Sequence, residues 1–193
     1  MHRLFDYINR NVTTPISEQD FEILLSHFIY KKIRRKQYFL QKGEVCKYGA
    51  FILKGSMRKY YIDDKGAEHI VDLYIEDWWA ADRESYTMLT PTIYDIDACE
   101  DCEVLLLTNE NVIKITNEFP AFNELRLKMD LNHYIANQKR VTSSISFSAE
   151  KRYLNFIENH PDFLQRFPQH YIASYLGITK ETLSRVRKDS LHK

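Results

Sequence analysis

The sequence contains only three cysteines, Cys46, Cys99 and Cys102. A low and odd count argues against a framework of disulfide bonds. Cys99 and Cys102 form a CxxC pair, but Cys46 is the only thiol left, so one chain cannot close a four-thiolate metal or iron–sulfur site. The acidic residues between the pair, Glu100 and Asp101, also disfavour thiolate formation. We therefore expect a structural role for these cysteines and neither a cofactor nor a metal, with a redox or metal role as the alternative.

Long apolar runs are also missing. The longest fall far short of the roughly 18 residues that a membrane-spanning helix needs. The first ten residues, MHRLFDYINR, lack the apolar core and cleavage site of a signal peptide. Hydrophobic residues make up 44% of the 193-residue chain, which is typical of one large or two small globular domains. We expect a cytoplasmic protein with no membrane partner.

The formal net charge is zero, but the charges are unevenly distributed. Residues 1–138 contain seventeen basic and twenty-two acidic side chains, whereas residues 139–193 contain ten basic and five acidic ones. The two parts therefore carry −5 and +5. A basic C-terminal module on an acidic body favours a polyanion as the partner of that end, with chance segregation as the alternative.

Glycine is scarce as well, and four of the five glycines lie between Lys36 and Leu107. Gly43, Gly55 and Gly66 separate short runs rich in Tyr, Ile, Val and Phe, namely YFLQ, AFIL, MRKYYI, HIVDLYI, IYDIDA and EVLLL. Short strands at this spacing predict a β-sandwich or a small barrel. The DDKG stretch that ends at Gly66 is typical of a hairpin turn.

Helices are predicted on both sides of these strands. Residues 16–30 have Ser17 as an N-cap candidate, and a long helix begins at Pro120. The long helix has a heptad seam that predicts a parallel two-helix dimer, formed by Phe122, Leu125, Met129, Asn132 and Ala136. A second apolar stripe lies away from this seam and consists of Leu127, Leu131, Tyr134 and Ile135. One stripe can then pack on the parent domain while the other faces the partner chain. A single core helix is the alternative, and residues 143–148 are the hinge candidate.

The stretch YIASYLGITKETLSR, residues 171–185, predicts two short helices joined at Gly177. The first runs from about Gln169 to Tyr175 and the second from Thr179 to about Lys188. A glycine with positive φ suits a tight helix-turn-helix corner. The second helix would present a polar face to DNA, with an αα-hairpin and a solvated face as the alternative.

Each polar side chain on that face suits a contact with DNA. Arg185 can bond guanine through two donors, Glu181 can accept from cytosine, and Lys180 can reach a guanine or a phosphate. The remaining polar residues suit contacts with the DNA backbone, which position the protein without specifying sequence: Gln169, Thr179, Thr182, Ser184, Arg187 and Lys188.

The segment FPQHYIASYLGITKETLSR, residues 167–185, resembles the helix-turn-helix of the Crp/Fnr family of bacterial transcription regulators. The resemblance extends over nearly the whole chain. It implies an α+β fold with an N-terminal double-stranded β-helix (jelly-roll) barrel and helices in 1–118, a dimerisation helix in 119–143 and a helix-turn-helix domain in 144–193. It also implies a homodimer that binds pseudo-palindromic double-stranded DNA, with base reading at Lys180, Glu181 and Arg185 and with RNA polymerase as a further partner. Few residues follow Lys188, so we expect the β-wing to be reduced or absent.

The barrel segment departs from the members of this family that bind cyclic nucleotides. Those members use a Gly-Glu pair for the ribose and an Arg followed by a small residue for the cyclic phosphate. By position, the first pair falls near Ala80 and Ala81 and the second on Thr92 and Ile93. The acceptor and the cation are therefore missing, and we expect no binding of cAMP. Acidic residues in the same region, Asp82, Asp95 and Asp97, would repel a phosphate, and Arg83, the only nearby cation, lies in the wrong place to bind one.

The effector of such a barrel is not identified by the sequence. Trp78, Trp79, Tyr86 and Tyr94 either line a pocket for another ligand or fill the space as core. His69 is followed by Ile70 and Val71, so the paired histidines of a metal-dependent cupin are missing. The sequence also lacks a P-loop, a G-x-S-x-G motif and a dinucleotide fingerprint. We expect a regulator and not an enzyme, with a ligand-sensing or protein-interaction module whose barrel binds a non-nucleotide small molecule as the alternative.

Overall fold

The computed structural model describes residues 2–190. Its helices are α1 Arg3–Asn11, α2 Glu18–Leu25, α3 Arg83–Met88, α4 Asn109–Glu118, α5 Pro120–Ser146, α6 Ala149–Asn159, α7 Phe163–Arg166, α8 Gln169–Tyr175 and α9 Lys180–Ser190. Its strands are β1 Ile29–Ile33, β2 Tyr38–Leu40, β3 Tyr48–Lys54, β4 Met57–Ile62, β5 Glu68–Tyr74, β6 Trp79–Ala80, β7 Asp95–Ala98 and β8 Cys102–Thr108. Among these residues, no helix is both long and apolar enough to cross a membrane.

The strands form two four-stranded sheets. Their orders are β1-β8-β3-β6 and β2-β7-β4-β5, which is the strand order of a jelly roll. We call these two sheets the barrel. The six predicted strand segments all contain a strand, and Asp63 and Ala67 close the predicted hairpin through a 3.0 Å hydrogen bond from N–H to carbonyl. The predicted barrel is therefore confirmed as a barrel-like fold followed by helices.

The predicted helix over residues 16–30 is right at its beginning and wrong at its end. Ser17 caps α2 by accepting a hydrogen bond from the N–H of Asp20 at 3.1 Å, as expected. The helix ends at Leu25, and Ile29–Ile33 pair with β8 as an antiparallel strand. Isoleucine and tyrosine are good strand formers, and pairing with β8 decides the structure of this segment.

The barrel has two buried clusters. One lies between its sheets and includes Ile52, Ile96 and Leu106. The other joins the first two helices to the outer side of β3 and β8, and Leu4, Leu24 and Leu107 in it are fully buried. Gly55 marks a close approach at the end of β3, because a Cβ there would lie 2.7 Å from the carbonyl oxygen of Asp101. Its φ of +98° also favours glycine.

The chain divides into two compact units. The first contains residues 1–59 and 73–132, and the second contains residues 60–72 and 133–193. These units divide the chain differently from the predicted domain boundaries, because the tip of the β4–β5 hairpin belongs with the C-terminal helices. The long helix begins at Pro120 as predicted and continues to Ser146, through the first part of the predicted hinge.

The long helix requires a correction to the predicted dimer seam. Phe122 and Leu125 are buried in the core that the first two helices share with the barrel, and Met129 packs partly against this core. Asn132 and Ala136 are exposed. The seam predicted from Phe122 to Ala136 therefore begins inside the first unit, where a second chain has no access to it.

Candidate nucleic-acid interface

The four C-terminal helices α6 to α9 contribute to one apolar core. Helix α9 contacts both α6 and α8. The core contains aromatic residues from α6 to α8 and aliphatic residues from α8 and α9: Tyr153, Phe156, Phe163, Phe167, Ile172, Leu176, Leu183 and Val186. Leu183 and Val186 lie three positions apart, so they share one face of α9 and leave the opposite face to solvent.

Gly177 forms the corner between α8 and α9, as predicted. Its φ is +64°, its N–H donates to the carbonyl of Ser174 at 3.0 Å, and the N–H of Ile178 donates to the carbonyl of Ala173 at 3.0 Å. This pair of bonds is a Schellman motif, which satisfies the last carbonyls of a helix and requires a left-handed residue. The sequence reasoning found this corner because glycine is the residue that such a turn needs.

Thr179, at which the second helix was predicted to begin, caps helix α9. Its hydroxyl accepts a hydrogen bond from the N–H of Thr182 at 3.2 Å, which satisfies one of the free donors of the first turn of α9. The carboxylate of Glu181 accepts hydrogen bonds from its own N–H and from Thr179, and these bonds lower its pKa below the ordinary value. Glu181 therefore remains an anion, and a hydrogen-bond acceptor, throughout the neutral range.

The free face of α9 brings together all three predicted base-reading residues. Lys180, Glu181 and Arg185 are exposed on this face with Ser184 and Lys188. The positions 180, 181, 184, 185 and 188 recur at helical spacing, so they form one stripe. We call these five side chains the polar stripe of α9. Among the other predicted contacts, Gln169 and Thr179 are exposed, whereas Thr182 and Arg187 are partly buried.

The charged residues of the barrel are arranged differently from the prediction. Arg58 forms a buried two-point ion pair with Asp97, and Asp95 accepts a hydrogen bond from the N–H of Lys42 at 3.0 Å. Lys59 is also buried, 5.1 Å above the centre of the Tyr94 ring. The expectation that Arg83 is the only cation near these acidic residues was therefore wrong, because Arg58 and Lys59 also lie in this region. Sequence reasoning missed Arg58 and Lys59 because they lie almost forty residues from Asp95 and Asp97.

Arg83 instead faces the long helix. Its guanidinium forms an ion pair with Asp130 of α5, and Asp130 is also 3.6 Å from Nη1 of Arg126. Desolvation and the neighbouring Arg126 lower the pKa of Arg83. Thr92, which stands at the position expected for a phosphate-binding arginine, is only 3% exposed and donates its hydroxyl to Asp82 at 2.7 Å.

The four aromatic residues proposed for an effector pocket differ in their contacts and exposure. Trp79 packs against Phe51 with 5.3 Å between ring centres. The Tyr86 hydroxyl donates to the carbonyl of Leu107 at 3.0 Å, and burial raises the Tyr86 pKa. Trp78 is 38% exposed, and Tyr94 lies beneath Lys59. Trp79 and Tyr86 both lie near Gly49, so these two pack as part of the barrel.

The three cysteines are free thiols, and Cys46 and Cys102 are buried. Burial raises the pKa of the Cys99 thiol to about 12 and that of Cys102 to about 11. Both thiols therefore stay protonated near neutral pH, where a thiolate would be the reactive form. The Cys102 thiol also donates to the carbonyl of Ser56 at 3.3 Å.

A continuous apolar stripe lies on the exposed side of the long helix. Leu127, Leu131, Tyr134, Val141 and Ile145 are all exposed. With Gln138 between Tyr134 and Val141, the spacing is 4, 3, 4, 3 and 4, which is a heptad pattern over almost three heptads. We call these six residues the α5 seam. Its first three residues, Leu127, Leu131 and Tyr134, belong to the second apolar stripe predicted for this helix.

Part of the barrel matches a known family model, and the fold of the chain is similar to that of several solved structures. Residues 30–119 match the family model described as "Cyclic nucleotide-binding domain". No curated protein matches the sequence. Solved structures of similar fold include FixK2 from Bradyrhizobium japonicum, which is 15% identical with a TM-score of 0.70 over 84% of this chain and 83% of that chain.

Two further solved structures share the fold. The c-di-GMP responsive global regulator CLP of Xanthomonas campestris is 10% identical, with a TM-score of 0.69 over 91% of this chain and 92% of that chain. The catabolite activator protein of Thermus thermophilus is 17% identical, with a TM-score of 0.57 over 92% of this chain and 84% of that chain. Residues 30–119 therefore match the model of the cyclic-nucleotide-binding domain, and the chain shares the fold of these proteins, a barrel followed by helices.

Proposed function

We propose that the protein is a homodimeric, sequence-specific DNA-binding transcription regulator of the Crp/Fnr type, and not an enzyme. The observation that supports this function most directly is the polar stripe of α9, which follows a capped helix-turn-helix corner and remains exposed. The similarity to a global regulator and to a catabolite activator protein adds support, because these share the barrel and the helices that follow it.

The polar stripe would read bases through its first two turns, since the N-terminal part of the second helix enters the major groove in this motif. Arg185 supplies a planar pair of donors for guanine, and the ionised Glu181 supplies an acceptor for cytosine. Lys180 adds a cation without the two-point geometry of arginine. Gln169, Thr179, Thr182, Ser184, Arg187 and Lys188 would contact the backbone of the DNA.

The partner surface of the dimer is the α5 seam. An isolated helix face with five exposed apolar residues at heptad spacing gains stability by packing against a second copy of itself. Gln138 is polar in the middle of the seam, which favours one register between two parallel helices. Two recognition helices held in this way would read half-sites about one helical turn apart.

The barrel would not respond to cAMP or cGMP. Thr92 stands where a cation is needed, and its hydroxyl is already used by Asp82. Isothermal titration of the protein with each nucleotide is expected to show no heat of binding. Binding at micromolar concentration would overturn this part of the proposal.

The experiment for the function itself is selection of duplexes from a random library, followed by affinity measurements at two salt concentrations. The proposal expects a pseudo-palindromic consensus whose affinity falls steeply as salt rises, since basic side chains release counterions from phosphates. A library that yields no consensus would refute sequence-specific binding. Absence of salt-dependent retention on duplex DNA would favour a protein-interaction module.

A further inference from the structure

Helix α8, the first helix of the helix-turn-helix, is hydrogen-bonded to strand β5 within the second compact unit. The N–H of Ile70 donates to Oγ of Ser174 at 2.8 Å, and Oγ of Ser174 lies 3.4 Å from the carbonyl oxygen of Glu68, to which it donates. Strand β5 is the outer strand of its sheet. An outer strand has backbone groups that its own sheet does not use. One serine hydroxyl of α8 therefore satisfies a donor and an acceptor on this edge.

Arg140 makes a second connection at the same place. Its guanidinium, carried by α5, donates to the carbonyl of Val71 and lies 3.6 Å from Oδ1 of Asp72. It also stands over the ring of Tyr175, 5.2 Å from the ring centre. One side chain of the long helix thus contacts both the end of β5 and the end of α8. We call Ser174, Arg140 and their partners Ile70, Asp72 and Tyr175 the α8 clasp.

Both ends of the clasp are attached to ordered structure. On the hairpin side, the Asp63 carboxylate accepts hydrogen bonds from the N–H groups of Lys65 and Ala67, both at 2.9 Å. The Asp63 carboxylate also lies 2.8 Å from Nε2 of His69. On the helical side, the Tyr175 ring packs 5.7 Å from the ring of Phe156, centre to centre, and burial raises the Tyr175 pKa. The clasp therefore joins a braced hairpin to the core of the C-terminal helices.

The clasp leaves the predicted reading surface free. Its contacts use the end of α8 and do not involve α9, whose polar stripe stays exposed while the clasp is closed. The clasp is therefore suited to hold the reading helix in place and not to cover it. In a dimer, once one reading helix has bound its half-site, the other meets the second half-site at a high effective concentration. Angular freedom of α8 and α9 lowers this effective concentration, so rigid placement of the helices raises the affinity for a full site more than for a single half-site.

We propose that the α8 clasp positions the reading helix, so that the β4–β5 hairpin fixes the orientation of α8 and α9 and makes binding to a two-half-site DNA tighter. Ser174 and Arg140 are then positioning residues, and they contact no DNA. This proposal rests on the proposed function for its consequence on DNA. The hairpin would support DNA recognition by holding α8 and α9 in a fixed orientation, and this effect requires no nucleotide in the barrel.

The test uses full-length Ser174→Ala and Arg140→Lys, with Lys139→Ala as the matched control. Arg140→Lys keeps the charge but loses the planar group that lies over Tyr175. Lys139→Ala removes an exposed cation from the neighbouring position of the same helix. Two readouts are needed, namely backbone hydrogen exchange of α8 and α9 without DNA, and the Kd for full-site and half-site duplexes.

The expected result is faster exchange in α8 and α9 for both clasp variants. Their Kd for the full site should rise about tenfold, a typical size for coupling between elements, while the half-site Kd changes by less than about twofold. Lys139→Ala should leave exchange unchanged. Unchanged exchange in both clasp variants, or tighter binding to the full site, would overturn the proposal. If the wild-type chain binds no duplex, the proposed function fails, and the exchange readout still decides whether the clasp holds the two helices.

Discussion

The guanidinium of Arg58 meets the carboxylate of Asp97 at two points, Nε to Oδ1 at 2.8 Å and Nη2 to Oδ2 at 2.9 Å. The two residues lie on the neighbouring strands β4 and β7, and their side chains are only 9% and 12% exposed. A bidentate pair of this kind is geometrically specific. The ion pair neutralises Asp97, which the sequence alone had indicated as one of the residues that would repel a phosphate.

Replacing Asp97 should destabilise the barrel strongly. Asp97→Ala removes the two-point acceptor and leaves the charge of Arg58 in a buried site, which typically costs about 3 to 5 kcal/mol. Urea unfolding followed by tyrosine and tryptophan fluorescence measures this loss. The exposed pair of Lys32 and Glu103, 3.9 Å apart, is the control, and Lys32→Ala should cost less than about 1 kcal/mol. Equal losses of unfolding free energy in the two variants would show that burial does not determine how much an ion pair stabilises the barrel.

The sequence predicted the elements that depend on local signals. Gly177 and Thr179 identified the corner and the cap of α9, because a left-handed residue and an N-cap have strong residue preferences. Gly66 identified the hairpin for the same reason. Helical spacing then placed Lys180, Glu181 and Arg185 on one face.

The sequence could not decide questions that depend on distant partners. Both stripes of α5 are apolar with heptad spacing, so nothing local shows that Phe122 packs inward and Leu131 outward. The partners of Arg58 and Ser174 are 39 and 104 residues away. Strand β1 was missed because Ile29 and Tyr30 continue the apolar pattern of the helix before them, and only pairing with β8 separates the two.

Gly177 offers a test of the helix-turn-helix corner. Its φ of +64° is unfavourable for any residue with a Cβ, so Gly177→Ala should destabilise the C-terminal helices by about 1 kcal/mol. A Cβ there would meet only Nη1 of Arg152 at 3.6 Å, an ordinary contact, so the cost is one of backbone conformation. Thermal unfolding followed by circular dichroism measures it.

Gly49→Ala is the matched control for this substitution. Its φ lies outside the left-handed region, and the added Cβ would make ordinary contacts with Trp79 at 3.7 Å and Tyr86 at 3.8 Å. Because alanine can adopt this backbone conformation and restricts the unfolded chain more than glycine does, Gly49→Ala should not lower the stability. A Gly177→Ala protein as stable as Gly49→Ala would contradict the left-handed corner.

The buried thiols predict a dependence on alkaline pH. The pKa values of Cys99 and Cys102 in the folded chain are about 12 and about 11, whereas the ordinary value is 9.0. Below pH 9 both states are protonated and stability is unaffected. Above pH 9 the unfolded chain loses these protons first, so their contribution to stability falls as pH rises toward 11 and 12.

Two measurements check these thiols. Iodoacetamide should modify Cys99 and Cys102 much more slowly in the folded protein than in urea at pH 7.5, because only the thiolate reacts. Between pH 8 and pH 10, the variant Cys99→Ala should lose less stability than the wild type. Rapid modification of the folded protein at pH 7.5 would show that a thiolate forms and would reopen a redox role.

The α5 seam predicts the effect of a charge on assembly. Leu131→Glu places a carboxylate in the centre of the seam, where two copies would face each other, so the protein should become monomeric in sedimentation equilibrium. Ile113→Glu is the control, because Ile113 is equally exposed but lies on α4. A monomeric wild type would contradict the proposed dimer, and dissociation by both variants would show that the effect is not specific to the α5 seam.

The most direct measurement of DNA reading compares Arg185→Ala with Arg187→Ala on the selected duplex and on duplexes with single base-pair changes. Arg185→Ala should weaken binding to the selected site by roughly 1 to 3 kcal/mol and abolish discrimination at one G·C pair. Arg187→Ala should weaken binding to all sequences alike and reduce the salt dependence. If both variants lose affinity equally at every sequence, or neither loses any, the polar stripe of α9 does not read bases, and the proposed function is contradicted.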